Sequence, residues 1–148
     1  MADYLNTDGK VSSHEKIYSK VDPSVLLHII SRKNDINVQR ENLSPDKEFL
    51  QLSRLKLGKG VTFKPHKHIK LVRSTDITQE SWIVIQGVVK AMLYDLDDTL
   101  IQEVILKQGD CSITFRGGHT YEALEEDTIA YEYKTGPYFG QEKDKAFI

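Results

Sequence analysis

The chain has 148 residues, and its 20 Lys and Arg against 22 Asp and Glu give a formal net charge of −2. This length predicts a single domain, and the balanced charge excludes the basic surface typical of proteins that bind nucleic acid or anionic membranes. The single cysteine, Cys111, excludes an internal disulfide framework and favours a reducing compartment. With no bilayer-spanning apolar run and no signal-peptide pattern, we expect a cytoplasmic protein without a membrane partner.

The first third of the chain predicts an arm and a short helix. Residues 1–16 are polar and indicate an arm. Asp22 can cap a helix that starts at Pro23, and apolar residues then follow at helical spacing through Ile30. The alternative is a buried strand over residues 25–30, because a short apolar run suits either structure. Residues 1–47 are therefore predicted to form an arm and a short helix that pack on the remainder.

From residue 48 onward, short apolar runs alternate with Gly and Asp turns. The runs lie at 49–57, 61–63, 69–72, 82–94, 100–106, 112–115 and 128–133, with clear turns at 95–98 and 108–110. Many short strands and little helix indicate a mainly β sandwich or small barrel. The run 82–94 contains Gly87, which breaks or bends it. Several runs are apolar on both faces, so either the N-terminal segment or a second subunit could cover one face, and we expect a homodimer.

Three histidines and a glutamate fall at spacings that suit one metal ion. His66 and His68 stand two residues apart, so a strand would place both on one face. Glu80 precedes a strand, and His119 would arrive from a distant strand. Three imidazoles and a carboxylate suit a divalent transition metal, Fe, Mn, Ni, Co or Zn, and leave positions open for substrate. His66, His68, Glu80 and His119 are the predicted ligands.

Residues 58–124 resemble the cupin superfamily, whose members are small jelly-roll β-barrels. Gly60, five residues, His66, one residue and His68 match its first motif, which Glu80, six residues and Gly87 complete. The gap over residues 69–79 is longer than is usual in the family, which makes Gln79 the rival oxygen ligand. Gly109 and His119 match the second motif, although the interval is one residue short and the family's Pro and Asn are missing. The resemblance implies a cupin-type jelly-roll barrel over residues 48–148.

The later part of the chain is similar to the small WbuC-type cupin metalloproteins. The runs at 119–125 and 132–138 carry this similarity. It implies a role in bacterial surface-polysaccharide biosynthesis, with a sugar or nucleotide-sugar substrate and isomerase- or epimerase-like chemistry. The alternatives are a non-catalytic module that binds a small ligand in the same pocket, and an Fe(II)-dependent dioxygenase.

Four residues are candidates for chemistry beyond metal binding. Glu80, Tyr121 and Glu122 are the candidate catalytic groups. Tyr121 shares the face of His119 on a regular strand, where it could also be a core tyrosine, whereas Glu122 points to the opposite face. Arg116, next to Gly117 and Gly118, is the candidate binder of an anionic ligand. Cys111 has no activating neighbour in the sequence and is expected to be a buried thiol.

Overall fold

The computed structural model describes residues 14–148, and most of the predicted polar arm lies outside this range. This described part is mainly β and has one short α-helix. The strands are β1 (Glu15–Tyr18), β2 (Leu26–Ser31), β3 (Arg40–Asn42), β4 (Ser53–Leu55), β5 (Glu80–Gln86), β6 (Val88–Tyr94), β7 (Leu100–Lys107), β8 (Cys111–Thr114), β9 (His119–Ala123) and β10 (Ile129–Lys134). A 3₁₀ turn covers Lys33–Asp35, and α1 covers Gln141–Asp144.

The strands form three antiparallel sheets. The first has five strands in the order β1-β2-β8-β5-β10, the second pairs β3 with β4, and the third has the order β7-β6-β9. In the third sheet β9 pairs only with β6 among the described residues, with His119 opposite Leu93 and Tyr121 opposite Ala91. The far side of β9 is therefore a sheet edge with backbone groups available for pairing.

Apolar side chains pack on both faces of the five-stranded sheet. Between this sheet and the three-stranded sheet lies one core cluster, which includes Ile30, Val84, Ala91 and Leu93. A second cluster, which includes Ile29, Leu43, Ile113 and Phe115, lies on the opposite side, where the segment around β3 and β4 covers the sheet. Because burial of such side chains is the main stabilising term, these two clusters fix the position of β5, β8 and β9.

The predicted N-terminal helix is wrong, and the alternative of a buried strand is confirmed by β2. All six residues of β2 are buried, and the strand pairs with β1 on one side and with β8 on the other. A helix with one apolar face would have left its other face to water, whereas the central strand of a sheet covered on both faces needs burial at every position. The segment Leu-Leu-His-Ile-Ile-Ser meets that need, because four of its side chains are apolar and the polar groups of the other two, His28 and Ser31, are compact.

Gly87 separates β5 from β6, as the sequence predicts. Its φ is +81°, and a Cβ at this position would lie 2.5 Å from Oγ1 of Thr128, so both backbone and space require glycine. Strands predicted at 61–63 and 69–72 are absent, because residues 56–79 pair with no strand among the described residues. No helix in the described part of the chain is long and apolar enough to span a bilayer.

Candidate functional site

Glu80 and His119 meet at one end of the space between the two larger sheets. Glu80 is the first residue of β5 and His119 the first of β9. Oε1 of Glu80 lies 3.0 Å from Nε2 of His119, and both side chains are largely but not fully buried. Burial opposes ionisation of Glu80, but hydrogen bonds from His119 and Trp82 and the charge of Lys134 outweigh it, so the pKa of the carboxyl is lowered. The site therefore holds a carboxylate beside an imidazole.

A second carboxylate stands next to this pair. The indole Nε1–H of Trp82 lies 3.2 Å from Oε1 of Glu80 and 3.0 Å from Oε2 of Glu132, so it joins the two groups. Nζ of Lys134 lies 3.6 Å from the other oxygen of Glu132 and 3.6 Å from Asp144. Glu132 and Lys134 alternate along β10 opposite Trp82 and Glu80 on β5, and this pairing places all four side chains on one face.

Tyr121 forms the wall of the site and packs against the core. Its ring stacks on Trp82 with a centroid distance of 4.1 Å and an interplanar angle of 12°. Its hydroxyl lies 2.8 Å from Oγ of Ser112, and burial raises the pKa of the phenol. A neutral, hydrogen-bonded phenol in this position supports the shape of the site and is a poor base.

His28 lies below the site and is fully buried. Its Nδ1 lies 2.8 Å from Oγ1 of Thr114, and its Nε2–H donates to the backbone carbonyl of Tyr94 at 3.2 Å. Burial lowers the pKa of the ring to about 4, with nearby His119 acting in the same direction and the Tyr94 hydrogen bond and Asp95 opposing it. His28 is thus a neutral histidine that links β2, β8 and the end of β6.

His66 and His68 do not join Glu80 and His119 in this structure. They lie in an extended stretch, residues 57–73, which we call the basic arm, and both are exposed. Their rings contact each other edge to face at 5.6 Å, and Nδ1 of His66 lies 2.9 Å from the carbonyl of Lys64. Within residues 14–148, no group of three or more His, Cys, Asp or Glu side chains is placed to hold a metal ion. Placement of the two histidines on a strand is wrong here, and the four-ligand set stays a prediction.

The separation of the Glu80 and His119 donor atoms suits two neighbouring metal ligands as well as a hydrogen bond. Donor atoms about 2.1 Å from one ion and at a right angle to each other lie about 3 Å apart, and the pair is separated by 3.0 Å. Metal binding at Nε2 would leave the ring proton on Nδ1, which is buried and has no partner among the described residues. The donor pair fits a divalent transition metal, and His119 then needs an acceptor for Nδ1–H.

The other candidate residues lie away from the pair. The side chain of Gln79 is buried, donates to Glu48 at 2.7 Å and accepts from the Leu50 amide at 2.8 Å, which leaves Glu80 as the oxygen donor beside His119. Nη1 of Arg116 contacts both oxygens of Glu48 at 2.9 and 3.0 Å, and the Arg116 side chain lines a separate cavity of about 560 Å³.

Glu122 lies on the other face of β9, 2.6 Å from Nζ of Lys90. Cys111 is buried, as predicted, and burial raises the pKa of its thiol to about 11.

The sequence analysis missed Trp82, Glu132 and Lys134. Their signal was the alternation of residues that can form hydrogen bonds, at positions 80 and 82 and at positions 132 and 134. This spacing places each pair on one strand face. The sequence does not show the register of β10 on β5, which brings the two pairs together. The resulting arrangement can bind a cation and move a proton beside it.

No family model, curated protein or solved structure is significantly similar to this chain.

Proposed function

We propose that this protein is a metal-binding, cupin-type jelly roll that acts on a sugar or nucleotide-sugar. The observation that carries the proposal is the 3.0 Å contact between Oε1 of Glu80 and Nε2 of His119, the first residues of β5 and β9. The order of the strands in the sheet β7-β6-β9 leaves room for one more strand at β9. The basic arm contains the remaining predicted ligands, His66 and His68.

His66, His68, Glu80 and His119 would hold the ion, and this donor set suits Fe, Mn, Ni, Co or Zn. When bound, it supplies Lewis-acid polarisation of a carbonyl or a hydroxyl pair on the substrate. Glu80 and His119 approach from different strands whose positions the core clusters fix, so they are held ready for the ion. Sugar chemistry and a place in bacterial surface-polysaccharide biosynthesis come from the cupin resemblance and are part of the proposal.

Glu132 is the group that moves a proton in this proposal. The Trp82 indole and the Lys134 ammonium orient its carboxylate, and its side chain is 40% exposed, so substrate can reach it. In an isomerisation, Glu132 takes a proton from the hydroxyl-bearing carbon beside the substrate carbonyl and returns it to the carbonyl carbon, while the hydroxyl proton passes to the former carbonyl oxygen. No net proton is gained or lost. The exposed carboxylate replaces Tyr121 and Glu122 as the catalytic candidate, since those two side chains are engaged with Ser112 and Lys90.

The catalytic proposal is tested by NMR of metal-loaded protein with a set of sugar nucleotides. We expect new product signals with the unaltered protein, and a fall in turnover of about 10²- to 10⁴-fold in Glu132→Gln. Glu122→Gln is the matched control, because Glu122 lies on the opposite face of β9, and it should keep full turnover. Line broadening or thermal stabilisation by a sugar that emerges unchanged would leave a non-catalytic binding module, the second candidate.

A further inference from the structure

The basic arm has the composition of a strand that lacks a sheet. Counting from Val61, odd positions carry Val61, Phe63, Ile69 and Leu71, and the even positions carry both histidines. In an extended strand these sets occupy opposite faces. The odd-numbered apolar side chains are exposed in this structure, with 82% for Ile69 and 64% for Leu71. This alternation predicts a β-strand, although the arm pairs with no strand among the described residues.

Within residues 14–148, the arm makes no hydrogen bond to a residue outside itself. Among the described residues, the bonds of residues 57–73 run from Val61 to Gly58, between His66 and Lys64, and from Arg73 to Leu71, all within the arm. Meanwhile β9 keeps one open edge. The arm lacks a partner strand, and β9 lacks one at its open edge. Two identical copies satisfy both if the arm of each pairs with β9 of the other.

Charge favours the pairing of these two halves. The arm has five cations and no carboxylate: Lys59, Lys64, Lys67, Lys70 and Arg73. The turn after β9, residues 124–128, has three carboxylates and no Lys or Arg: Glu125, Glu126 and Asp127. Opposite charges on adjacent strands stabilise pairing, and they disfavour pairing of two arms or of two β9 edges.

We infer that two copies of this chain exchange their basic arms, so that the arm of each copy adds to β9 of the other. The site is then composite, with His66 and His68 from one subunit and Glu80 and His119 from its partner. This inference rests on the proposed metal site. An added strand also brings backbone carbonyl groups to β9, the kind of acceptor that the buried Nδ1 of His119 lacks. The occupant of the β9 edge is a second copy, and neither copy has a complete site alone.

A mixed dimer of two inactive variants tests the exchange. One subunit carries His66→Ala with His68→Ala, the other carries Glu80→Gln with His119→Gln, and the two are co-expressed with different affinity tags and purified through both. In an exchanged dimer, one site receives all four mutations and the other receives none. We therefore expect about one ion per mixed dimer, against about two per unaltered dimer and none for either variant alone.

The outcomes separate the exchange from the metal site itself. No metal in the mixed dimer, with one ion per chain in the unaltered protein, would overturn the exchange and keep the proposed function. No metal in the unaltered protein would overturn both. Light scattering gives an independent reading that needs no variant. We expect twice the chain mass of 16.9 kDa, and a metal-loaded monomer would contradict the exchange.

Discussion

We expect replacement of His119 by alanine to lower the affinity for a transition metal by at least about 100-fold. His119 contributes one of the two donor atoms that are already adjacent, and its loss leaves Glu80 with Trp82 as its remaining hydrogen-bond donor at the site. Glu80→Ala should have a similar effect, because the carboxylate supplies the charge that attracts the cation. Isothermal titration with Zn²⁺ and Mn²⁺ measures both, with circular dichroism to verify that each variant is folded.

Two control variants separate the site from general effects on charge. Glu122→Gln removes a carboxylate from the same strand but from the opposite face, where it pairs with Lys90, and should retain the affinity of the unaltered protein. Tyr121→Phe retains the stack on Trp82 and removes only the contact with Ser112. Equal loss of affinity in Glu122→Gln and Glu80→Ala would show that the ion binds by overall charge, and would sink the assignment.

Acidification should unfold the protein in part through His28. Because burial holds the pKa of this ring at about 4 in the folded chain, against about 6.5 for an exposed histidine, the unfolded chain binds the extra proton first. The contribution of His28 is fully present above pH 6.5 and is lost as the pH falls toward 4. The shift corresponds to roughly 3 kcal/mol in the free energy of unfolding.

The measurement is urea denaturation at pH 7 and pH 4 for the unaltered protein and for His28→Gln. Glutamine retains a donor and an acceptor for Tyr94 and Thr114 but does not titrate. We expect the variant to be less stable at pH 7 and to lose less stability on acidification. The same fall in both proteins would mean that other groups, such as the nearby Asp95, cause the acid sensitivity.

The mainly β fold could be predicted because it depends on local pattern. Turns at residues 95–98 and 108–110 and the break at Gly87 follow from residue types that tolerate unusual backbone angles. A helix is predicted in place of β2 for two reasons. His28 and Ser31 interrupt the apolar run, and Asp22-Pro23 resembles a helix start. Burial of a strand on both faces depends on its neighbours, and the sequence of the strand does not contain that information.

The candidate site was predicted in part for the same reason. Spacing singled out Glu80 and His119, which the structure places in contact. It could not find Glu132, because that carboxylate reaches the site through the register of β10 on β5. The alternation within the basic arm predicts a strand, but a strand forms only where a partner edge is present. In the chain as described, no such partner pairs with residues 57–73.

X-ray absorption spectroscopy of the metal-loaded protein tests most directly whether Glu80, His119, His66 and His68 bind one ion. We expect a shell of nitrogen and oxygen donors at about 2.0–2.2 Å, with multiple scattering from three imidazoles. His66→Ala should reduce that number to two. A shell with no imidazole, or one unchanged in His119→Ala, would contradict the assignment.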